Sequence, residues 1–293
     1  MFPSWLTGRF APSRDKAALS SLDRFLENGP ELSRPISQAC TASQFREDVY
    51  AHWCDAIREP PRPHRKQWEF CYILQALDQR GLLTPGRRAL GFGVGTEPLT
   101  AVFASKGVFV DATDLDTENA RRSGWTNTNE HAAELAALNT RGICDPDDFA
   151  NRVRFSILNM NHLPPRLRGY DFCWSACALE HLGSIRNGVD FIRNSLRTLK
   201  PGGVGVHTTE LKCEPGEKTI DNRPTVLLRE SDFRELQTKL RAQGHHIQCD
   251  FRLGDEPLDK HIDMPPYSSD VHLKLNLEGF VTTSFGLIIQ KAP

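Results

Sequence analysis

From Gly81 onward, short apolar runs alternate with helix-like segments, and that rhythm limits the fold more than any other feature of the chain. Residues 89–92, 108–113, 153–157, 170–174, 203–208, 246–251 and 280–290 read as strands. Residues 98–105, 187–199 and 232–243, the last behind Ser231 as a cap, read as helices. Runs that are apolar at nearly every position are buried on both faces. The expectation is an α/β fold: a mostly parallel seven-stranded sheet with helices on both faces. Such a sheet takes its ligands beyond the carboxyl ends of the strands, where the strand order reverses.

The part before this rhythm reads as helical. Ser13 caps a segment over 15–27 that stops at Asn28-Gly29-Pro30, and Ser43 caps another over 44–58 that stops at Glu59-Pro60-Pro61. Pro61-Arg62-Pro63 is a stiff connector, and 66–79 carries Trp68, Phe70, Ile73, Leu74 and Leu77 near helical spacing. We therefore expect an N-terminal helical extension over 1–60, placed as a cover for the active site, and a main domain over 61–293. Residues 117–152, between the second and third strands, exceed what a simple crossover needs. This insertion is either a two-helix surface element or a lid, in which Gly124-Trp125-Thr126-Asn127 and His131 would form a substrate wall, Trp125 foremost.

Composition excludes several classes. Lysine and arginine number 36 against 37 acids, a net charge of −1. The one dense basic stretch, Arg62-Pro63-His64-Arg65-Lys66, is short, so no nucleic-acid partner is expected. Eight cysteines are scattered without a C-x-x-C pair, which suits free thiols in a reducing cytoplasm. Met1 to Trp5 lacks both the basic start and the apolar run of a secretory leader. No stretch approaches the ~18 apolar residues of a membrane span.

The first strand leads into Gly91-Phe92-Gly93-Val94-Gly95-Thr96-Glu97-Pro98-Leu99. Glycines at 93 and 95 permit a tight turn and a close approach of backbone to ligand. Such a pair gains meaning here because it follows a strand and precedes a helix. Asp114 ends the second strand, placed to grip the hydroxyls of an adenosine ribose, with Asp116 as its substitute. A nicotinamide dinucleotide would use the same two features, but its diphosphate favours a third glycine at the helix start. Glu97 and Pro98 stand there instead. A carboxylate opposes a diphosphate and suits S-adenosylmethionine, which carries a sulfonium and an ammonium.

Gly93-Val94-Gly95, Asp114, Tyr170-Asp171-Phe172 and Leu199-Lys200-Pro201-Gly202-Gly203-Val204 resemble, in order and spacing, the motifs of class I S-adenosylmethionine-dependent methyltransferases with their Rossmann-like fold. The resemblance covers roughly residues 65 to 293. Within that class, Gly91 to Leu99, Gly124-Trp125, Cys177-Ala178-Leu179-Glu180-His181-Leu182 and the tail from Asp259 to Thr283 are similar to a bacterial group associated with sugar or glycan modification. The resemblance implies that Phe92, Gly93, Val94 and Gly95, with Glu97 in the next turn, wrap the methionine part. It implies Asp114 at the ribose, Leu115 against the adenine, and Asn159 and Met160 beside it. Ser175 and Ala176 would lie under the sulfonium, with Trp68 and Lys66 bordering the cofactor from the preceding helix. Two positions depart from the pattern: Gly91 stands where an acid is usual, and the third glycine is missing.

Methyl transfer to a hydroxyl needs a base near the methyl group. His181, preceded by Glu180, follows the fourth strand and is the first choice; His207 and Glu210 on the fifth strand come next. His261, Asp263 and His272 in the tail would bind acceptor hydroxyls. With His207 and Glu210 they are also the set that would hold a divalent metal, although none is expected. The reading is an O-methyltransferase of a small polar acceptor, a sugar or glycan first. Its alternatives are a natural-product hydroxyl or amine as acceptor, a binding protein for the cofactor without catalysis, and a nicotinamide-dependent oxidoreductase.

Overall fold

The computed structural model describes residues 29–115 and 135–293. The chain opens with strand β1 (Ser37–Ala39) and a short 3-10 turn, then helices α1 (Asp48–Ala56) and α2 (Arg65–Asp78). The alternating part follows: β2 (Arg88–Phe92), α3 (Leu99–Ser105), β3 (Phe109–Asp114), α4 (Pro146–Arg152), β4 (Val153–Ile157) and β5 (Tyr170–Ala176). It continues through α5 (Ile185–Ser195), β6 (Leu199–Lys212) and α6 (Glu230–Ala242). The end comprises β7 (His246–Ile247), β8 (Cys249–Asp250), α7 (Pro257–Lys260), β9 (Ile262–Asp263), β10 (Lys274–Leu277) and β11 (Phe280–Gln290). The expected helix over 15–27, Asp116, Trp125 and His131 lie outside the described residues.

The sheet runs β4-β3-β2-β5-β6-β11. The first five strands are mutually parallel, and β11 is antiparallel to β6. The chain steps outward from β2 to β4, then returns to β5 on the other side of β2. The order therefore reverses between β2 and β5, which makes a crevice at their carboxyl ends. This is the Rossmann-like α/β arrangement expected. Apolar side chains fill both faces: α2, α3 and α4 cover one, with Phe172 and Trp174 beneath them, and α5 and α6 cover the other, with Cys173 beneath.

The far edge differs from the simple seven-stranded expectation. The run expected as one strand over 246–251 is split in two. Ile247 and His246 pair with β11, whereas Cys249 and Asp250 pair with β1, which inserts against β11. Ser37 locks the insertion, since its hydroxyl accepts from Ile288 N (2.9 Å) and its own N–H reaches Gln248 O (3.0 Å). A three-residue strand is too short to show a period, so β1 leaves no trace in the sequence pattern.

Candidate active site

The crevice is built first by backbone. Gly93 (φ 58°) and Gly95 (φ 49°) both take the left-handed conformation, which glycine adopts without steric cost. Val94 N donates to Thr113 O (3.1 Å), tying the turn to β3. Asp114 then clamps it: one carboxylate oxygen accepts from Gly95 N (3.0 Å), the other from Leu115 N (2.7 Å). A carboxylate oxygen can accept more than one hydrogen bond. A side chain at Gly93 would lie 3.0 Å from Ala178 Cβ and 3.3 Å from Met160 Sδ, so these residues converge on the turn.

Trp174 explains why Gly91 carries no acid. A Cβ at Gly91 would lie 2.5 Å from the Trp174 ring, so the indole holds that space. Its Nε1 donates to Glu97 Oε1 (2.5 Å). Burial, with Asp114 and Glu69 nearby, pushes the Glu97 carboxyl well above the usual range despite that hydrogen bond. Pro98 caps α3 and offers no N–H, leaving the helix start poorly equipped for a diphosphate.

Next to this half lies a buried charged cluster that joins α2 to the ends of β5, β6 and β11. Arg65 Nη1 pairs with Glu210 (2.5 Å) and Glu69 (3.5 Å) and donates to Ser284 Oγ (3.1 Å). Ser284 Oγ and Thr208 Oγ1 donate to the two oxygens of Glu69, and Thr282 Oγ1 donates to Glu210 (2.8 Å). Against the cost of burial, Arg65 and Lys66 hold Glu210 below its ordinary value. Glu180 is 1% exposed. Its Oε2 accepts from Thr209 Oγ1 (3.1 Å), but its Oε1 has no hydrogen-bond partner. Burial pushes this carboxyl up to about 7, against the pull of Lys66. Cys177, Glu180 and Glu210 present ligand atoms within 4.8 Å of one another. Arg65 already occupies Glu210 and touches the Cys177 sulfur (4.0 Å), so the trio carries its own cation.

The expected residues divide accordingly. Gly93, Gly95, Glu97, Asp114, Leu115 and Met160 gather at the turn. Phe92 and Val94 contribute backbone only, because their side chains are core, Phe92 packing edge-on to Phe191. Asn159 is exposed and its side-chain oxygen accepts from Asn161 N (2.9 Å), closing a local turn. Ala176 sits at the end of β5, while Ser175 is fully buried. Two expectations need correction. Trp68 is core, not a cofactor wall: it stacks on Tyr72 and its Nε1 donates to Gln44 (2.8 Å). His207 is structural, not catalytic: it is fully buried between Ser175 Oγ (2.9 Å) and Ser195 Oγ (3.2 Å), and burial lowers it to about 3. For the same reason His207 joins no metal set with Glu210. Arg65 and Glu69 were missed; the basic stretch before α2, with an acid at i+4, was the available signal.

In the tail, His272 Nδ1 meets Asp263 (2.6 Å), whereas His261 is exposed. His64 lies over His272 with ring centroids 4.9 Å apart, and its Nδ1 accepts from Lys66 N (3.2 Å). Burial lowers His64 to about 3 and also lowers His272, so both rings are neutral near pH 7. The Lys66 backbone N–H on His64 and the Asp263 carboxylate on His272 then fix opposite tautomers: Nε2 is a donor on His64 and an acceptor on His272.

No protein-family profile and no curated protein matches the chain. Similar solved structures include Haemonchus contortus phosphoethanolamine N-methyltransferase 2 with phosphomonomethylethanolamine and S-adenosylhomocysteine (21% identity over 67% of this chain and 41% of that one, TM-score 0.42). A S-adenosylmethionine-dependent methyltransferase from Methanosarcina mazei is also similar (15%, 73% and 97%, TM-score 0.45). So is magnesium protoporphyrin IX methyltransferase from Synechocystis with bound S-adenosylhomocysteine (14%, 85% and 97%, TM-score 0.46). The fold itself is given by the strand order described above.

Proposed function

We propose that the chain is a S-adenosylmethionine-dependent methyltransferase acting on a hydroxyl of a small polar acceptor, a sugar or glycan hydroxyl first. The observation that carries the cofactor reading is the pairing of a ribose-type acid, Asp114, with an acidic group, Glu97, at the helix start where a dinucleotide would put its diphosphate. The residues fit the zwitterionic end of the cofactor. Glu97 suits the ammonium, and Lys66, which makes no side-chain hydrogen bond or ion pair within 4.0 Å among the described residues, suits the carboxylate. When bound, the cofactor supplies a methyl group on a sulfonium leaving group.

The protein's part is position and proton removal. Glu180, buried next to Cys177 at the end of β5, is the base in this reading. A carboxylate there takes the acceptor's hydroxyl proton on its unpartnered Oε1. The imidazole pair His64 and His272, held by Asp263, offers one donor and one acceptor, the complement of a second hydroxyl. Tyr267, edge-on to His272 with centroids 5.3 Å apart and 41% exposed, offers a ring face to the acceptor's carbon skeleton. These features favour a polyhydroxylated acceptor.

Calorimetry tests the cofactor reading directly. S-adenosylmethionine and S-adenosylhomocysteine should bind with micromolar-scale affinity, and NAD should not bind. Binding of NAD with none of S-adenosylmethionine would overturn it.

A further inference from the structure

We propose that the chain carries an anion site, separate from the crevice, that takes the dianion of a phosphate monoester between the carboxyl ends of α5 and α6. The inference does not depend on the cofactor reading. A recess of about 310 Å³ lies there, walled by the second half of α5 and the turn after it, by the residues that follow α6, and by Lys291 just beyond β11. Lys291 Nζ donates to the carbonyl of Leu199, the first residue of β6 (2.7 Å). The recess therefore sits at the opposite end of the sheet from the carboxyl ends of β2 and β5, where the crevice opens.

The charges of this recess do not cancel. Arg193, Arg197 and Lys291 line it, and Asp190 is the one acid among its described lining residues. Asp190 is already shared, with Arg193 Nη1 at 3.4 Å and Arg186 Nε at 3.8 Å. Arg197 donates to the neutral Asn194 Oδ1 (3.3 Å) and Lys291 to a carbonyl, so neither has a carboxylate partner among the described residues. The two helix ends offset about half a charge each, which leaves the balance positive. The cations also crowd one another. Burial and the charge of Arg168 hold Lys291 below its ordinary value, and burial and Lys291 in turn lower His245. Neutral groups add donors: His245 Nδ1 accepts from Ala292 N (3.0 Å), which puts the imidazole N–H at Nε2. Forked guanidiniums, an ammonium and an N–H together match an anion with several acceptor oxygens. A recess of this size holds more than the phosphate group alone, so a substituent fits beside it.

The test is titration above the second phosphate pKa of about 6, in about 0.15 M salt to screen loose surface attraction. Glycerol 3-phosphate, read by calorimetry, presents the monoester free in solution. Phosphatidylcholine vesicles containing phosphatidate, read by co-sedimentation, present the same group as a lipid headgroup. The wild type should bind at least one of them, with a Kd of about 1 mM or tighter for the soluble form. Arg197→Glu should weaken binding about tenfold or more and keep the wild-type thermal midpoint, since Arg197 is exposed. Arg154→Glu, an exposed charge on β4 at the far edge of the sheet, should change nothing. Binding of glycerol 3-phosphate alone assigns the site to a soluble ligand, and binding of the vesicles alone assigns it to a headgroup. Binding of neither monoester, binding that survives Arg197→Glu, or an equal loss in Arg154→Glu would overturn the proposal. No adenosyl ligand enters these titrations, so a failure of the cofactor reading leaves their result standing.

Discussion

Burial acts in opposite directions on Glu180 and His181, neighbours at the end of β5. It raises the carboxyl to about 7 and lowers the imidazole to about 4, where Lys66 adds to the effect. His181 Nδ1 lies 3.1 Å from Pro224 O and 3.2 Å from Thr225 Oγ1, and Nε2 lies 4.0 Å from Glu180 Oε1. An imidazole that stays neutral down to about 4 is a weak base, so the sequence-based preference for His181 passes to Glu180. A base must be deprotonated to act, so the methyl-transfer rate should climb with pH through about 7. Glu180→Gln should remove that limb and lower turnover by about 10²–10⁴-fold, with cofactor affinity little changed. Linkage gives a check that needs no acceptor. An acid whose folded value is raised favours the folded state while protonated, and this contribution is lost as pH rises through the folded value. Relative to Glu180→Gln, the wild type should lose stability from the ordinary glutamate value near 4.5 up to about 7 and remain level above it. Thermal unfolding across that window would show a flat difference if Glu180 ionised normally.

At the scale of elements, α2 brings Arg65, Lys66 and Glu69 to the site, and its seat on the sheet depends on one glycine. A Cβ at Gly286 would lie 2.2 Å from the Tyr72 ring, so β11 must be bare there for α2 to lie so close. Tyr72 also stacks on Trp68 (4.8 Å) and donates to Ile36 O (2.6 Å), leaving little room to yield. Gly286→Ala should cost about 1–3 kcal/mol in urea unfolding and weaken S-adenosylmethionine binding as well, because the helix must lift. An alanine variant with unchanged stability would show that Tyr72 moves freely. None of this was legible in the sequence. The strands β2 to β5 were, because apolar runs bounded by turns carry their own signal. The placement of the glycine turn, Asp114 and Glu180 was legible too, because each sits beside the end of a strand. Arg65 and Glu69 acquire meaning only when α2 meets β6 and β11, a contact between distant parts of the chain. Trp68 and His207 were misread for the related reason that a residue's position on an element does not tell which neighbour covers it.

At the scale of the molecule, the question is whether the residues before α2 are a separable cover or part of the main core. Leu32, Tyr50, Trp53, Cys54 and Ile57 are nearly inaccessible and belong to the same apolar cluster as α2, α3 and Trp174. Gln44 and Gln75 accept the indole N–H groups of Trp68 and Trp53, and Tyr50 donates to Gln67 (2.7 Å). Strand β1 adds a sheet edge between β11 and β8. Removing these residues would therefore bare Trp68, strip several buried polar groups of their partners and leave β11 unpaired along part of its length. Each buried group left unsatisfied costs about 1–3 kcal/mol, and a domain holds only about 5–15 kcal/mol in total. A chain beginning at residue 61 should accordingly fail to fold cooperatively, giving no sigmoidal unfolding transition and no S-adenosylmethionine binding. A truncated chain that unfolds cooperatively and binds the cofactor would establish the opposite, that residues 1–60 are a cover laid over a self-sufficient domain.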